Sequence, residues 1–340
     1  MSVPRTPEAI TADWLSGALG RPVGSVEVAR VGTGQIARSF RLTLDGGDTL
    51  VAKMQTPDAG TLKAADIYHL YRKEVAWYAE LARHCDIRHP ACHFHAIADD
   101  GLAYLLLLED GAPARQGDQL AGESESRLNA ALAEAARLHG AFAGERLSLA
   151  EPLAAFPDMP TELQVQMFAH HWPGFRERYA ERLDADILAL GDRLLPRYGD
   201  FIDYESEHPS LCHRDFRVDN LLFGHPDGRV IVLDWQTLQI GAPASDAAYL
   251  IGTSAVGDPD YRAYFDRYAA LCREHGYAPP EASLWRDYRV GALSGFAVAV
   301  GSAMMVERTE RGDEMFAVMA ERPAHMALAL DSLGVLVAST

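Results

Sequence analysis

Between residues 213 and 236 the chain runs through a polar loop, a short apolar run, a turn, a second apolar run and a second acidic site. That order constrains the fold more than any other stretch. The loop reads His213, Arg214, Asp215, Phe216, Arg217, Val218, Asp219, Asn220. Residues 221–223 and 230–233 are apolar and are joined by Gly224, His225, Pro226, Asp227, Gly228 and Arg229, a turn composition that predicts an antiparallel hairpin. Asn220 then stands just before the first strand and Asp234 just after the second, and the open ends of such a pair lie roughly 5 Å apart. Two oxygen-bearing side chains at that spacing can share one hard cation. Asp215 adds a carboxylate to the same loop, and a carboxylate beside a metal-binding amide is what orients a hydroxyl for phosphoryl transfer. Taken singly, each residue is an ordinary turn Asp or Asn; the combination carries the reading.

A chain of 340 residues accommodates two lobes, and 48% apolar with 23% charged residues describes an ordinary globular composition. The 31 basic and 48 acidic residues leave a formal charge of −17, which opposes binding to nucleic acid or to an anionic membrane surface. Residues 1–10 carry Arg5, Glu8 and two prolines and lack the apolar core of a secretory signal, so a cytoplasmic location is expected. The uncharged stretch 290–306 is short for a bilayer span and is diluted by Gly291, Gly295 and Gly301, so it reads as a buried core helix. Cys85, Cys92, Cys212 and Cys272 form no C-x-x-C pair, consistent with a reducing compartment. His84, Cys85, His89, Cys92, His93 and His95 cluster in sequence, yet no subset has the usual zinc-ligand spacing, and residues 91–97 alternate as a strand.

Thr6, Pro7 and Glu8 predict the start of a lead helix that ends near Gly20. Residues 26–31, 37–44 and 49–54 follow as three strands of a twisted antiparallel sheet. A helix over about 62–83 and strands over 94–98 and 102–108 complete a first lobe, residues 1–109. The Gly- and Pro-rich stretch 110–122 is the natural boundary to a second lobe, 110–340. That lobe is predicted mainly helical, with helices over 128–139, 162–168, 175–195, 261–275 and 284–306. The fold class is therefore α+β and bilobal.

Lys53 ends the third strand, and Glu74 falls within the apolar stripe formed by Ile67, Leu70, Tyr71, Tyr78 and Leu81. A carboxylate facing a core is costly unless paired, and Lys53 is the candidate partner that would hold it toward phosphate. Gly32 and Gly34 lie between two strands, where turn backbone can cover phosphates. The run from Leu105 to Leu108, followed by Glu109 and Asp110, suits an adenine meeting backbone donors and acceptors.

With these residues in place, the chain resembles the aminoglycoside phosphotransferase and choline kinase superfamily, and within it the bacterial branch similar to ecdysteroid kinases. The likeness rests on Trp14, Lys53, Glu74, Glu109 with Asp110, Gly117-Asp118-Gln119, the 213–220 loop, Asp234-Trp235-Gln236, and the segment from Pro243 to Tyr249 with Asp246 at its centre. The resemblance implies a bilobal protein-kinase-like fold that uses ATP or GTP with Mg2+ to phosphorylate a hydroxyl of a small molecule. It also implies Asp215 as catalytic base, Asn220 and Asp234 as magnesium ligands, and Lys53 with Glu74 as phosphate holders. Gly32 and Gly34 would lie over the phosphates, the backbone of Leu108, Glu109, Asp110 and Gly111 would meet adenine, and Asp246 would brace the catalytic loop. The Gly32 turn lacks the third glycine of the protein-kinase loop, and Trp235-Gln236 stands where protein kinases have Phe-Gly. Little chain separates Asp234 from Asp246, which leaves little room for a protein-kinase activation segment and points away from a protein substrate.

Two other classes fit parts of the sequence. A nucleotide-binding pseudokinase acting as sensor or scaffold calls for degenerate catalytic residues, and none are visible. A metal-dependent hydrolase built on His213, Asp215 and Asp234 lacks a second histidine-bearing motif at a useful spacing. The acceptor stays open: Phe168, His170, His171, Trp172, Phe175 and Tyr179 read either as a pocket lining or, more simply, as helix packing. Sugars, amino alcohols, antibiotics and steroids all fit the fold, which does not choose among them, and the oligomeric state is equally open.

Overall fold

The computed structural model describes residues 2–32, 34, 36–306 and 308–336. β1 (Val26–Val31), β2 (Ala37–Leu44), β3 (Asp48–Gln55), β4 (Cys92–Ile97) and β5 (Tyr104–Glu109) form one sheet in the order β1-β2-β3-β5-β4, with every neighbour antiparallel. The sheet is covered on both faces. Phe40, Leu42, Leu44, Ala52 and Leu105 pack on one side with Leu15 of the lead helix, α1 (Ala12–Leu19). Tyr104, Leu106 and Leu108 pack on the other with Ala65, Tyr71 and Val75. An interior strand apolar on both faces is why 105–108 reads as an unbroken Leu run.

The lead helix starts later than its sequence predicts. Pro7–Ala9 makes a single 3-10 turn, and a second start follows at Thr11, whose hydroxyl accepts from the Trp14 N–H at 3.2 Å. Gly20, with φ 65°, closes it. The predicted single helix over 62–83 is likewise four pieces: α2 (Ala59–Ile67), α3 (Leu70–Ala76), a π-helical turn Trp77–Leu81 and a 3-10 turn Ala82–His84. His69, at φ 55°, breaks the first from the second. The break leaves Ile67 half exposed while turning Tyr71 and Glu74 inward, so the stripe drawn through Ile67 is discontinuous. The π turn widens the spiral enough to bury both Trp77 and Leu81.

The second lobe contains β6 (Arg115–Gln116), α4 (Glu125–Ala141), a 3-10 run Gly144–Ala155, α5 (Thr161–Arg178), α6 (Ala185–Leu194), α7 (Tyr198–Ile202) and β7 (Ser210–Cys212). It continues through β8 (Leu221–Phe223), β9 (Ile231–Val232) and β10 (Gln239–Gly241). The remaining helices are α8 (Ala244–Ser254), α9 (Tyr261–Glu274), α10 (Glu281–Gly291), α11 (Ser294–Met305), α12 (Glu310–Ala329) and α13 (Ser332–Val335). The hairpin forms with Leu221 opposite Val232 and Leu222 opposite Ile231, and β6 extends it, so part of the Gly- and Pro-rich boundary segment belongs to the second lobe's sheet.

α5 runs unbroken through Pro173, where two helices are predicted. A proline inside a helix costs about 3 kcal/mol, and the buried ring stripe Phe168, Trp172 and Phe175 offsets it. Phe168, Trp172, Phe175 and Tyr179 of the ring cluster pack in the core, whereas His170 is exposed and His171 half-buried. The predicted helix 284–306 divides after Gly291, where α10 crosses α8 so closely that a Cβ would meet Ser245 Cα at 2.5 Å. α11 is enclosed by α5, α8 and α12, which accounts for its apolar composition.

Candidate active site

The polar loop after β7 is held from below by one buried carboxylate. Asp246, in the first turn of α8 and 1% exposed, accepts from the His213 N–H at 2.6 Å and the Arg214 N–H at 2.9 Å. It also lies 3.2 Å from His139 Nε2. Burial alone would raise the Asp246 carboxyl, yet the bonds from His139 and the loop hold it below its ordinary value of 3.8. An ionised carboxylate only accepts, so His139 carries a proton on Nε2, and its Nδ1 lies 2.7 Å from the Tyr268 hydroxyl. Thr237 donates to the His213 carbonyl at 2.8 Å, and His213 Nε2 meets the Leu233 carbonyl at 2.8 Å, tying the loop to the end of the hairpin.

Asp215 projects from this loop. Asn220 Nδ2 donates to its Oδ2 at 2.7 Å and to its carbonyl at 2.9 Å, while the Tyr249 hydroxyl donates to Oδ1 at 3.2 Å. Arg217 Nε lies 3.1 Å from the same oxygen, and Arg217 Nη1 bonds Gln119 and Asp219 at 2.7 and 2.9 Å. The Asn220 amide therefore faces Asp215 and its oxygen is turned away, available as a hard donor. The Leu233 N–H donates to the Asn220 carbonyl at 2.8 Å, which sets Asn220 beside Asp234 across the open end of the hairpin.

Lys53 joins the two lobes. Its ammonium lies 2.6 Å from Glu74 Oε1 and 2.9 Å from Asp234 Oδ1. Glu74 is fully buried, and its second oxygen accepts from the Tyr104 hydroxyl at 3.2 Å and from Gln236 Nε2 at 3.3 Å. Burial raises the Glu74 carboxyl despite the neighbouring ammonium. Burial would lower Lys53, but two carboxylates raise it above its ordinary value of 10.5. Asp234 is held below 3.8, chiefly by Lys53, against burial. Its backbone takes the left-handed φ of 64°, and the next residue, Trp235, stacks at 3.6 Å on Trp77 of the π turn. That buried stack fixes Asp234 against the helix that carries Glu74.

The second oxygen of Asp234 takes no hydrogen bond among the described residues, on a side chain 38% accessible, and with the oxygen of Asn220 it makes an all-oxygen donor pair suited to a magnesium ion. Among the described residues, the only cluster of three or more His, Cys, Asp or Glu close enough to share an ion is His139, Cys212 and Asp246. The hydrogen bonds above already occupy His139 and Asp246. His84, Cys85, His89, Cys92, His93 and His95 do not gather.

Gly32 adopts φ 71°, and a Cβ on Gly34 would meet the Ala37 carbonyl at 2.7 Å, so both turn positions favour glycine; Thr33 and Gln35 lie outside the described residues. At the end of β5 the Glu109 carboxylate is clamped by Arg88 at 2.6 and 2.9 Å and that of Asp110 by Arg41 at 2.6 and 3.0 Å. The Glu109 N–H is taken by the Ala91 carbonyl, while Leu108 is paired within the sheet. These side chains brace the inter-lobe crossing, where the Gly111 carbonyl also accepts from the Ala114 N–H.

Sequence reasoning assigned no role to Tyr249, Arg217, His139, Tyr268 or Trp77. Tyr249 was findable, because it follows Asp246 by one helical turn on the same face. Nothing in its neighbourhood marks His139. Beside the loop, a cavity of about 180 Å³ is lined by Tyr68, Asp158, Tyr204, Arg214, Gln239 and Asp287, among others.

A two-lobed fold with a Lys–Glu–Asp chain across the cleft and an Asp–Asn loop beneath it defines a kinase-type phosphotransferase. Residues 27–285 match the phosphotransferase enzyme family, and the chain belongs to that family, whose members are small-molecule kinases. Over 76 residues, 22% of this chain, it is 32% identical to acyl-CoA dehydrogenase family member 11 of Gallus gallus, a stretch that makes up only 10% of that protein. Among solved structures, a protein of Ralstonia eutropha JMP134 provisionally named an aminoglycoside phosphotransferase superposes with a TM-score of 0.57 at 16% identity, covering 95% of this chain and 98% of its own. Spectinomycin phosphotransferase, solved with ADP and spectinomycin, gives 0.54 at 11% identity over 94% and 97%. A microcompartment-associated aminopropanol kinase gives 0.52 at 14% over 92% and 94%. At these identities the likeness establishes the fold.

Proposed function

We propose that this protein transfers the γ-phosphoryl group of ATP, or of GTP, to a hydroxyl of a small molecule, with Asp215 as the catalytic base. The observation that carries the reading is the convergence of Lys53, Glu74 and Asp234 from three separate elements beside the Asp215–Asn220 pair. In this reading residues 1–109 are the nucleotide lobe and 110–340 carry the catalytic loop and acceptor pocket. The Lys53 ammonium, steadied by buried Glu74, presents a fixed positive charge to phosphate oxygens. The Gly32 and Gly34 turn supplies backbone close to them, and the backbone of 108–111 faces the base. Asn220 and Asp234 would hold magnesium, which when bound supplies charge neutralisation on the transferring group.

Asp215 orients the acceptor hydroxyl and takes its proton. Asn220 and Tyr249 fix the carboxylate's rotation, so little reorganisation remains when the hydroxyl arrives. Asp246 holds the backbone on which Asp215 stands. The test is an ADP-release screen across hydroxylated compounds, with phosphorus NMR of the product. Asp215→Asn should abolish transfer and spare ATP binding; undiminished turnover by that variant would remove Asp215 from the role.

A further inference from the structure

We propose that the acceptor carries an anionic group, a carboxylate or a phosphate, bound by the Arg214 guanidinium in the cavity against β10, with its hydroxyl directed to Asp215, the next residue of the loop. This rests on the phosphotransfer reading and adds the acceptor's charge to it.

Three charged side chains line that cavity: Asp158, Asp287 and Arg214. Both carboxylates are already satisfied. Asp158 accepts from Lys73 Nζ at 3.1 Å and from Gln239 Nε2 at 2.6 Å. Asp287 accepts from the Tyr204 hydroxyl at 2.7 Å and the Ser206 hydroxyl at 2.6 Å, and burial raises its carboxyl above the ordinary value of 3.8, which weakens it further as a cation site. Of the three, only the exposed Arg214 is unengaged: among the described residues its guanidinium makes no hydrogen bond and no ion pair, although its backbone N–H is fixed by Asp246. A cationic acceptor would have to displace existing partners from a carboxylate, whereas an anionic one meets a planar donor fork with nothing to displace.

The backbone supplies a second, independent observation. Arg214 sits at φ 69°, in the left-handed region where glycine is at ease and a side chain costs on the order of 1–2 kcal/mol. A long cation is kept at a position that backbone preference would give to glycine, and it returns no intramolecular bond for that cost. Strain of this kind, held beside a reactive group, points to use by a ligand.

The test uses the full chain with ATP and magnesium against four matched series: short hydroxy acids, glycol monophosphates, the primary amides of the acids, and the corresponding amino alcohols. Arg214→Ala and Arg214→Lys are assayed beside the parent protein. The acids or the monophosphates should exceed the amides in kcat/KM by about 10- to 100-fold, the range for hydrogen bonds to a charged group. Which of the two wins identifies the anion. Arg214→Ala should erase that preference, and Arg214→Lys should restore part of it. Equal or better turnover of amides or amino alcohols by the parent overturns the inference and leaves the kinase reading standing. So does an Arg214→Ala loss that falls alike on all four series. If no series is phosphorylated, the phosphotransfer reading fails on its own, and melting temperatures decide the charge question: the anionic series should raise the parent's and not that of Arg214→Ala, and no shift overturns it.

Discussion

Replacing Asp246 by Asn keeps the shape of the side chain and removes one of its two acceptor ends. The carboxylate takes the His213 N–H and the His139 Nε2 proton on one oxygen and the Arg214 N–H on the other, with 1% of the residue exposed. Whichever way the amide is turned, its NH2 faces a buried backbone N–H. One unsatisfied buried donor costs about 1–3 kcal/mol, and loss of charge on the remaining bonds, which roughly halves their strength, adds about 1 kcal/mol. A destabilisation of about 2–4 kcal/mol follows, which for a chain of this size lowers the melting temperature by on the order of 3–6 °C. Urea unfolding followed by circular dichroism measures the first quantity and a thermal scan the second. ATP affinity, measured by calorimetric titration, should change by about threefold or less (~0.7 kcal/mol) because Lys53, Glu74 and Asp234 keep their partners. An Asp246→Asn protein that unfolds at the parent's urea midpoint would refute the claim that this carboxylate holds the loop.

The same residue sets a pH dependence. The Asp246 carboxyl is lowered in the folded state, so its stabilisation is fully present above the unfolded value of 3.8 and is lost as pH falls through the folded one. The stability gap between the parent and Asp246→Asn should therefore be constant near neutrality and narrow below pH 3.8, as read from unfolding midpoints across an acid series. Glu74→Gln removes the 2.6 Å partner of Lys53 but leaves Asp234 at 2.9 Å. It should cost about 1–3 kcal/mol, less than the ~3–5 typical of a buried charge left alone, and weaken ATP binding about tenfold (~1.4 kcal/mol); unchanged affinity would show that Asp234 suffices.

Much of the site is legible along the chain because it is local in sequence. Asp215, Asn220 and Asp234 are joined by a hairpin whose turn residues dictate its register, so their proximity follows from strand pairing. The Lys53–Glu74 pair is legible for another reason: a carboxylate on a buried face must find a cation. Helix boundaries are less legible. His69 breaks a good helical stripe and Pro173 fails to break one, because burial of Trp77 in the first case and of Phe168, Trp172 and Phe175 in the second outweighs local preference.

The contacts that brace the site as a whole come from far apart. His139 reaches Asp246 across 107 positions, Gln119 reaches Arg217 across 98, and Lys53 reaches Asp234 across 181. The sequence by itself determined the chemistry: which carboxylates, which amide and which ammonium the chain would bring to a cleft, since motif spacing and periodic patterning are local and legible in one dimension. Only the tertiary structure decided which of those groups were already satisfied. Pairing depends on what packing brings alongside each group, and Arg214 could not be known as the cavity's unengaged charge until Asp158 and Asp287 were seen with their partners.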